Sequence, residues 1–216
     1  MHLAYGKYDL ELNLISAEDW PKCFDSIEID LIQFYQSKQK VKNQFIKLIK
    51  NKQLKVIPRL MIKTDRESSE YDDLFSIWGE LFNQHTLYYS VYSGKKKWDS
   101  DLILSEIKKL PHHHSYFFEW SREDRKENTH FLTKLPQFGG FVLDPHWHAH
   151  HFPISAIPIR FKLHGWNEQR WFRRYGAILS AKILKLILMR KNKIITTSLT
   201  LAYSGKFDEA PYFHTK

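Results

Sequence analysis

Apolar residues recur along this chain with two periods, near 3.6 and near 2, and the change from one to the other marks out its elements. Residues 16–51 read as helical. Ser16 can cap a first turn that carries Glu18 and Asp19, and Ile27, Leu31, Phe34, Val41, Phe45, Leu48 and Ile49 then follow at helical spacing. A second helix is written in Leu74, Phe75, Trp78, Leu81 and Phe82. A third is capped by Asp99 or Ser100 and carries Leu102, Ile103, Ile107 and Leu110. The longest spans 167–191, with Asn167 as cap and Trp171, Tyr175, Ile178, Leu179, Ile183 and Leu186 on one broad face.

Between the helices lie β-branched and aromatic runs at 56–65, 86–92, 116–123, 157–164 and 194–202, and a Gly139-Gly140 hinge leads into a further, histidine-rich strand. Residues 129–133 would pair with 116–123 across a polar turn. Helices and strands interleave, but Gly-rich phosphate loops are missing. The expectation is therefore an α+β protein with a mainly antiparallel sheet packed by helices. A helical N-terminal segment (1–54) precedes an α+β domain (55–216), or the two form a single domain.

Charge narrows the partner. The 33 Lys and Arg outnumber the 24 Asp and Glu, for a net charge of +9 and a pI near 9.4. Such a balance favours a polyanion, with nucleic acid ahead of an acidic membrane. Arg170, Arg173, Arg174, Lys182 and Lys185 make much of the long helix basic and are the expected nucleic-acid contacts. Lys38, Lys40, Lys42, Lys47 and Lys50 read instead as a solvated helix face. The lone Cys23 excludes an intramolecular disulfide and a Cys-rich zinc finger. There is no apolar signal segment at the start and no run near the ~18 residues of a membrane span, so a cytoplasmic setting is expected.

The most specific stretch is Gly139-Gly140-Phe141-Val142-Leu143-Asp144-Pro145-His146-Trp147-His148-Ala149-His150-His151. In an extended chain His146, His148 and His150 share one face at about 6.5–7 Å spacing, and neighbouring imidazoles can lean onto one ion. Glu119, Glu123 and Asp144 could complete the shell or fix the imidazole tautomers. His112-His113-His114, after Pro111, reads as a solvated loop.

Pro145-His146-Trp147-His148 resembles the paired-histidine motif of the HUH endonucleases, which nick DNA in rolling-circle replication, conjugation and transposition. Tyr203-Ser204-Gly205-Lys206 resembles that family's tyrosine, two residues, lysine motif. The resemblance implies one divalent cation (Mg²⁺ or Mn²⁺, with Zn²⁺ as the alternative) on His146, His148 and a further ligand such as His150 or Glu119. It also implies a tyrosine that attacks the phosphodiester and stays bonded to single-stranded DNA. Tyr203 is the expected nucleophile with Lys206 beside it, and Tyr175 is the alternative. His146, His148 and His151 also resemble the zinc box of metallo-β-lactamase-fold hydrolases, but that fold needs more chain after the box. The leading expectation is a metal-dependent nickase in phage or plasmid replication. A basic nucleic-acid-binding protein without catalysis, its histidines structural or holding zinc, is the competing one.

Overall fold

The computed structural model describes residues 2–7, 24–62, 66–93, 100–119, 132–143, 158–163 and 195–203. Eight strands close into a barrel in chain order, every neighbouring pair parallel. They are β1 (His2–Lys7), β2 (Ser26–Asp30), β3 (Lys55–Ile62), β4 (Tyr89–Ser93), β5 (Tyr116–Glu119), β6 (Phe138–Leu143), β7 (Pro158–Leu163) and β8 (Ile195–Tyr203). The described helices are α1 (Leu31–Gln36), α2 (Gln39–Lys52), α3 (Ser68–Phe82) and α4 (Ser100–Ile107). This is the (β/α)₈ barrel architecture.

The expectation of a mainly antiparallel sheet is thereby corrected. Returning from the top of one strand to the bottom of the next needs a crossover, which α1 and α2, α3, and α4 supply after β2, β3 and β4. The helical reading of 16–51 is corrected too. Its apolar spacing runs through β2 into α1, and the two strands β1 and β2 within 1–54 are barrel staves paired to β8 and β3.

Strand register separates two faces, because aligned residues on neighbouring strands share a side. Ile27 and Ile29 of β2, Val56 and Leu60 of β3, Val91 of β4 and Phe118 of β5 are fully buried and belong to one set. This set faces the helices. Tyr89 of β4, in that set, lies 4.7 Å ring to ring from Phe75 of α3. Behind it Phe34, Phe45, Trp78 and Phe82 interlock, with centroids 4.6 to 5.6 Å apart and mostly edge-on. Tilted and edge-to-face contacts place the ring edges on neighbouring π faces, which strengthens the cluster beyond its buried area.

The alternate set lines the lumen. Ser26, Glu28 and Asp30 on β2 are in register with Lys55, Ile57 and Arg59 on β3; Arg59 is in register with Ser90 on β4, and Ser90 with Phe117 on β5. The outer wall is thus apolar and the inner wall of β2–β5 largely polar. Asp30 does double service at the top of β2. Its Oδ1 accepts from the backbone N–H groups of Ile32 and Gln33, both at 3.0 Å, and so caps α1.

Gly139 and Gly140 sit inside β6 and not at a hinge. The register slips by one residue there, between Tyr116 and Phe117 of β5. A Cβ on Gly139 would stand 3.2 Å from both the Phe117 ring and the Tyr116 carbonyl oxygen. Gly140 has φ of 153°, which side-chain-bearing residues rarely adopt. No helix among the described residues is long and apolar enough to cross a membrane.

Candidate functional site at the barrel mouth

In barrels of this architecture chemistry gathers at the C-terminal ends of the strands. Here that end carries a linked set of charged and polar side chains from four consecutive strands. Arg59 lies in the upper half of β3. Its Nε and Nη2 donate to the two carboxylate oxygens of Glu119, the last residue of β5, at 2.8 and 3.2 Å. The Glu28 carboxylate lies 3.8 Å from the same Nε. The guanidinium rests flat on Tyr92 of β4, with Cζ 3.3 Å from the ring centroid. The Tyr92 hydroxyl donates to Oδ2 of Asp30 at 3.2 Å.

Arg59 therefore spans from β3 across β4 to β5, which only an inward-pointing side chain can do. Glu28 is fully buried, and Arg59 and Glu119 keep 12% and 14% of their side-chain surface exposed. A two-pronged, charge-assisted pair out of bulk water is strong and directional. It holds the Glu119 carboxylate in one orientation at the rim. Burial pushes the Tyr92 phenol up to about 12; Arg59 opposes that shift, and Asp30 adds to it. At neutral pH Tyr92 is thus a hydrogen-bond donor and a platform for Arg59, not a phenolate nucleophile.

Of the site residues expected from sequence, two lie within the described residues. Glu119 ends β5, and it pairs in register with Val142 of β6. Tyr203 ends β8, paired with Lys7 of β1. His146, His148, His150, Tyr175, Lys206, Arg170, Arg173, Arg174, Lys182 and Lys185 lie outside the described residues, as do His151, Glu123 and Asp144. Among the described residues no group of three or more His, Cys, Asp or Glu is placed to hold a metal ion.

The triple histidine falls elsewhere. It precedes β5, so it sits at the opposite end of the barrel from Glu119. His114 stacks on Phe75 at 5.3 Å, and burial, then the neighbouring His113, pushes its imidazole down to about 4. His112 meets the amide of Gln137 at 2.6 Å. His112 and His113 are exposed, as the sequence suggested, whereas His114 is half-buried against the Phe75 and Tyr89 rings.

Sequence reasoning missed Glu28, Asp30, Arg59 and Tyr92. A signal existed: acids at 28 and 30 and an arginine at 59 interrupt apolar strand runs at every second residue. Such a residue in a buried strand points to a polar lumen, but only once the strand is known to be doubly covered.

No known protein family matches the chain, and no curated protein matches it. Solved structures do. AsfvAP:AG aligns with a TM-score of 0.52 and 12% identity over 95% of this chain and 93% of that one. An endo-beta-N-acetylglucosaminidase from Cordyceps militaris, a mutant in complex with fucosyl-N-acetylglucosamine-Asn, aligns at 0.51 and 11% over 97% and 86%. A D-psicose 3-epimerase in the presence of D-fructose aligns at 0.51 and 8% over 96% and 87%. At such identities the likeness is one of fold. The chain has the architecture of a (β/α)₈ barrel with a polar mouth. The likeness to HUH motifs rests on its residues alone.

Proposed function

We propose that this barrel is a metal-dependent endonuclease that nicks single-stranded DNA at its C-terminal mouth, with Tyr203 as nucleophile. One observation supports the reading: β5, β6 and β8 run towards the same end of the barrel, and three separate pieces of the expected chemistry stand in the chain at or just after the ends of those strands. Glu119 ends β5 in the lumen set, whereas Tyr203, the last residue of β8, is in register through Lys7 with Ile29 of the outward set and so stands at the mouth only by its place at the strand tip. His146 follows the end of β6 by three residues, a tether of about 11 Å at full extension. β6 and β8 are separated by one strand, about 10 Å around the wall.

A divalent ion on His146 and His148 would polarise the scissile phosphate. Glu119 fits the third position, because Arg59 fixes its carboxylate in the way that outer hydrogen bonds orient ligating groups. The Tyr203 hydroxyl forms the new bond to phosphorus as the bond to the leaving sugar oxygen breaks. Lys206 is close in sequence to return a proton to that oxygen.

The test uses end-labelled single-stranded DNA with Mn²⁺. Cleavage should leave a covalent adduct that peptide mapping places on Tyr203, and Tyr203→Phe should lose it. His146→Ala with His148→Ala should abolish cutting. Cutting without an adduct would assign attack to water and remove Tyr203 from the mechanism. No cutting with any divalent metal would overturn the reading.

A further inference from the structure

We propose that the outer face of α2 is a docking surface for the phosphate backbone of a nucleic acid, on the outside of the barrel wall. Residues 31–64 contain nine Lys and Arg and no Asp or Glu. Nine is also the net charge of the whole chain, so everything outside this segment balances at 24 against 24. The basicity of the protein is therefore a local property of one stretch, and α2 is its exposed part.

On α2 the residues Lys40, Asn43, Gln44, Lys47, Lys50 and Asn51 are all exposed or half-buried at its outer side. At 100° per residue they form one face, opposite the buried Phe45, Leu48 and Ile49. From Lys40 to Lys50 the row runs about 15 Å. A duplex strand presents about four phosphates over that length. Amides between the lysines add donors of the kind that bond to phosphate and sugar. No ion pair among the described residues involves Lys38, Lys40, Lys42, Lys47, Lys50 or Lys52.

Helix stability does not account for the pattern. Lys38, Lys40 and Lys42 crowd the positive end of the helix dipole, where the first turn has no acid and the Lys38 side chain makes no capping bond. Lys47 and Lys50, three apart, repel each other. A face that served only solubility would gain from a glutamate in the first turn; Lys50, in the last turn, is where a cation suits the dipole. Off this face, at the start of α2, the Lys42 ammonium lies 5.4 Å from the ring centroid of Tyr35 of α1, which is 47% exposed. It offers a stacking surface for a base.

An anionic membrane would attract the same lysines, but interfacial helices bind by inserting an apolar face. The apolar residues of α2 are committed to the core, with Phe45 and Ile49 wholly inaccessible. Nucleic acid is the occupant that needs only what this face presents. The inference stands apart from the cleavage reading, since it concerns another surface and needs no metal.

Fluorescence anisotropy tests it, with a labelled 20-base-pair duplex and a labelled 20-nucleotide single strand, in EDTA so that no cutting intervenes. Replacing Lys40, Lys47 and Lys50 together by Gln should weaken duplex binding at 0.1 M salt by about 8-fold for each phosphate that is no longer neutralised. It should also flatten the log–log salt slope by about 0.9 per phosphate. The corresponding triple Arg variant should bind as the wild type does. Exchanging the exposed Lys108 and Lys134 for Gln should change affinity less than about 2-fold. Circular dichroism of each variant reports its fold. Unchanged binding by the triple Gln variant overturns the proposal, as does an equal weakening in the Lys108/Lys134 control. Binding to vesicles with 30% phosphatidylserine but to neither oligonucleotide would also overturn it, in favour of a membrane. Tyr203→Phe and His146→Ala with His148→Ala should retain α2 binding, which separates failure of this proposal from failure of the nuclease reading.

Discussion

Arg59 reaches past its neighbouring strand to Glu119, two strands away, and meets both carboxylate oxygens at 2.8 and 3.2 Å while lying flat on Tyr92. The pair ties β3 to β5 across β4 and fixes the rim at the place where β6 leads into the histidine run. Its value is that of a desolvated pair, for which removing one partner costs far more than the pair nets. Arg59→Ala strands Glu119 and the buried Glu28 without their common cation, and should cost about 3–5 kcal/mol. Urea titration gives the number. A loss below about 1 kcal/mol would mean that water replaces the guanidinium there.

Two glycines should respond to alanine with opposite signs. Gly79 lies within α3 with nothing inside 4 Å of a new Cβ, so Gly79→Ala should stabilise by about 0.5–1 kcal/mol through helix propensity. At Gly139 the added methyl meets the Phe117 ring and the Tyr116 carbonyl at 3.2 Å, and Gly139→Ala should cost about 1–3 kcal/mol. Thermal unfolding of the two variants decides it. A stabilised Gly139→Ala would show that the slipped register of β5 and β6 has slack.

His114 should make stability fall with acid. Its imidazole is held neutral, down to about 4 from the ordinary 6.5, by burial against Phe75 and Tyr89 and by His113. Between those values the unfolded chain binds the proton and the folded one does not, so unfolding stability rises with pH across that window. It is fully present above pH 6.5 and lost as pH falls towards 4. A shift of this size corresponds to about 3 kcal/mol at most, and the partial exposure of the ring reduces that to about 1–2 kcal/mol. His114→Phe should remove this part of the pH dependence in denaturation midpoints measured from pH 7 to 4.5. An unaltered slope would assign the titration to another group.

Strand and helix positions were largely legible in the sequence; their connectivity was not. The runs read at 56–65, 86–92, 116–123, 157–164 and 194–202 fall on β3, β4, β5, β7 and β8, and the helices at Leu74–Phe82 and Leu102–Ile107 fall on α3 and α4; β6 was not legible in this way, since it takes in the two glycines that read as a hinge. Strand–helix alternation itself favours a parallel sheet. The polar lumen obscured it, since Glu28, Asp30, Arg59 and Glu119 give buried strands the look of strands with one wet face. β2 was hidden because Ile27 and Leu31 are four apart, as on a helix, although the first points outward from a strand and the second begins α1. At the site, Glu119 could be named from its type and place in the chain. Its partner Arg59 stands 60 residues earlier, and nothing local in the sequence links the two.

Metal should report on the histidine segment independently of cutting. If His146 and His148 hold a divalent ion, Mn²⁺ at 100 times its dissociation constant should stabilise the fold by about 2.7 kcal/mol. Scanning calorimetry with and without EDTA measures this. His146→Ala with His148→Ala should erase the difference while leaving the metal-free Tm within a few degrees. A metal shift that survives in the double variant would place the ion elsewhere.

The closure of β8 on β1 has a consequence for how the protein is made. His2–Lys7 pairs residue by residue with Ser198–Tyr203, so the first stave waits for a partner 196 residues downstream. At about 5–20 residues per second of synthesis, β1 has one edge without its native neighbour for some 10 to 40 seconds. Until β8 emerges, the nascent chain is an open sheet with raw edges, exposed to misassembly with other chains. The ring is sealed only by its last stave, so a ribosome that stalls before residue 195 yields a product unable to close, however well its first seven strands have formed.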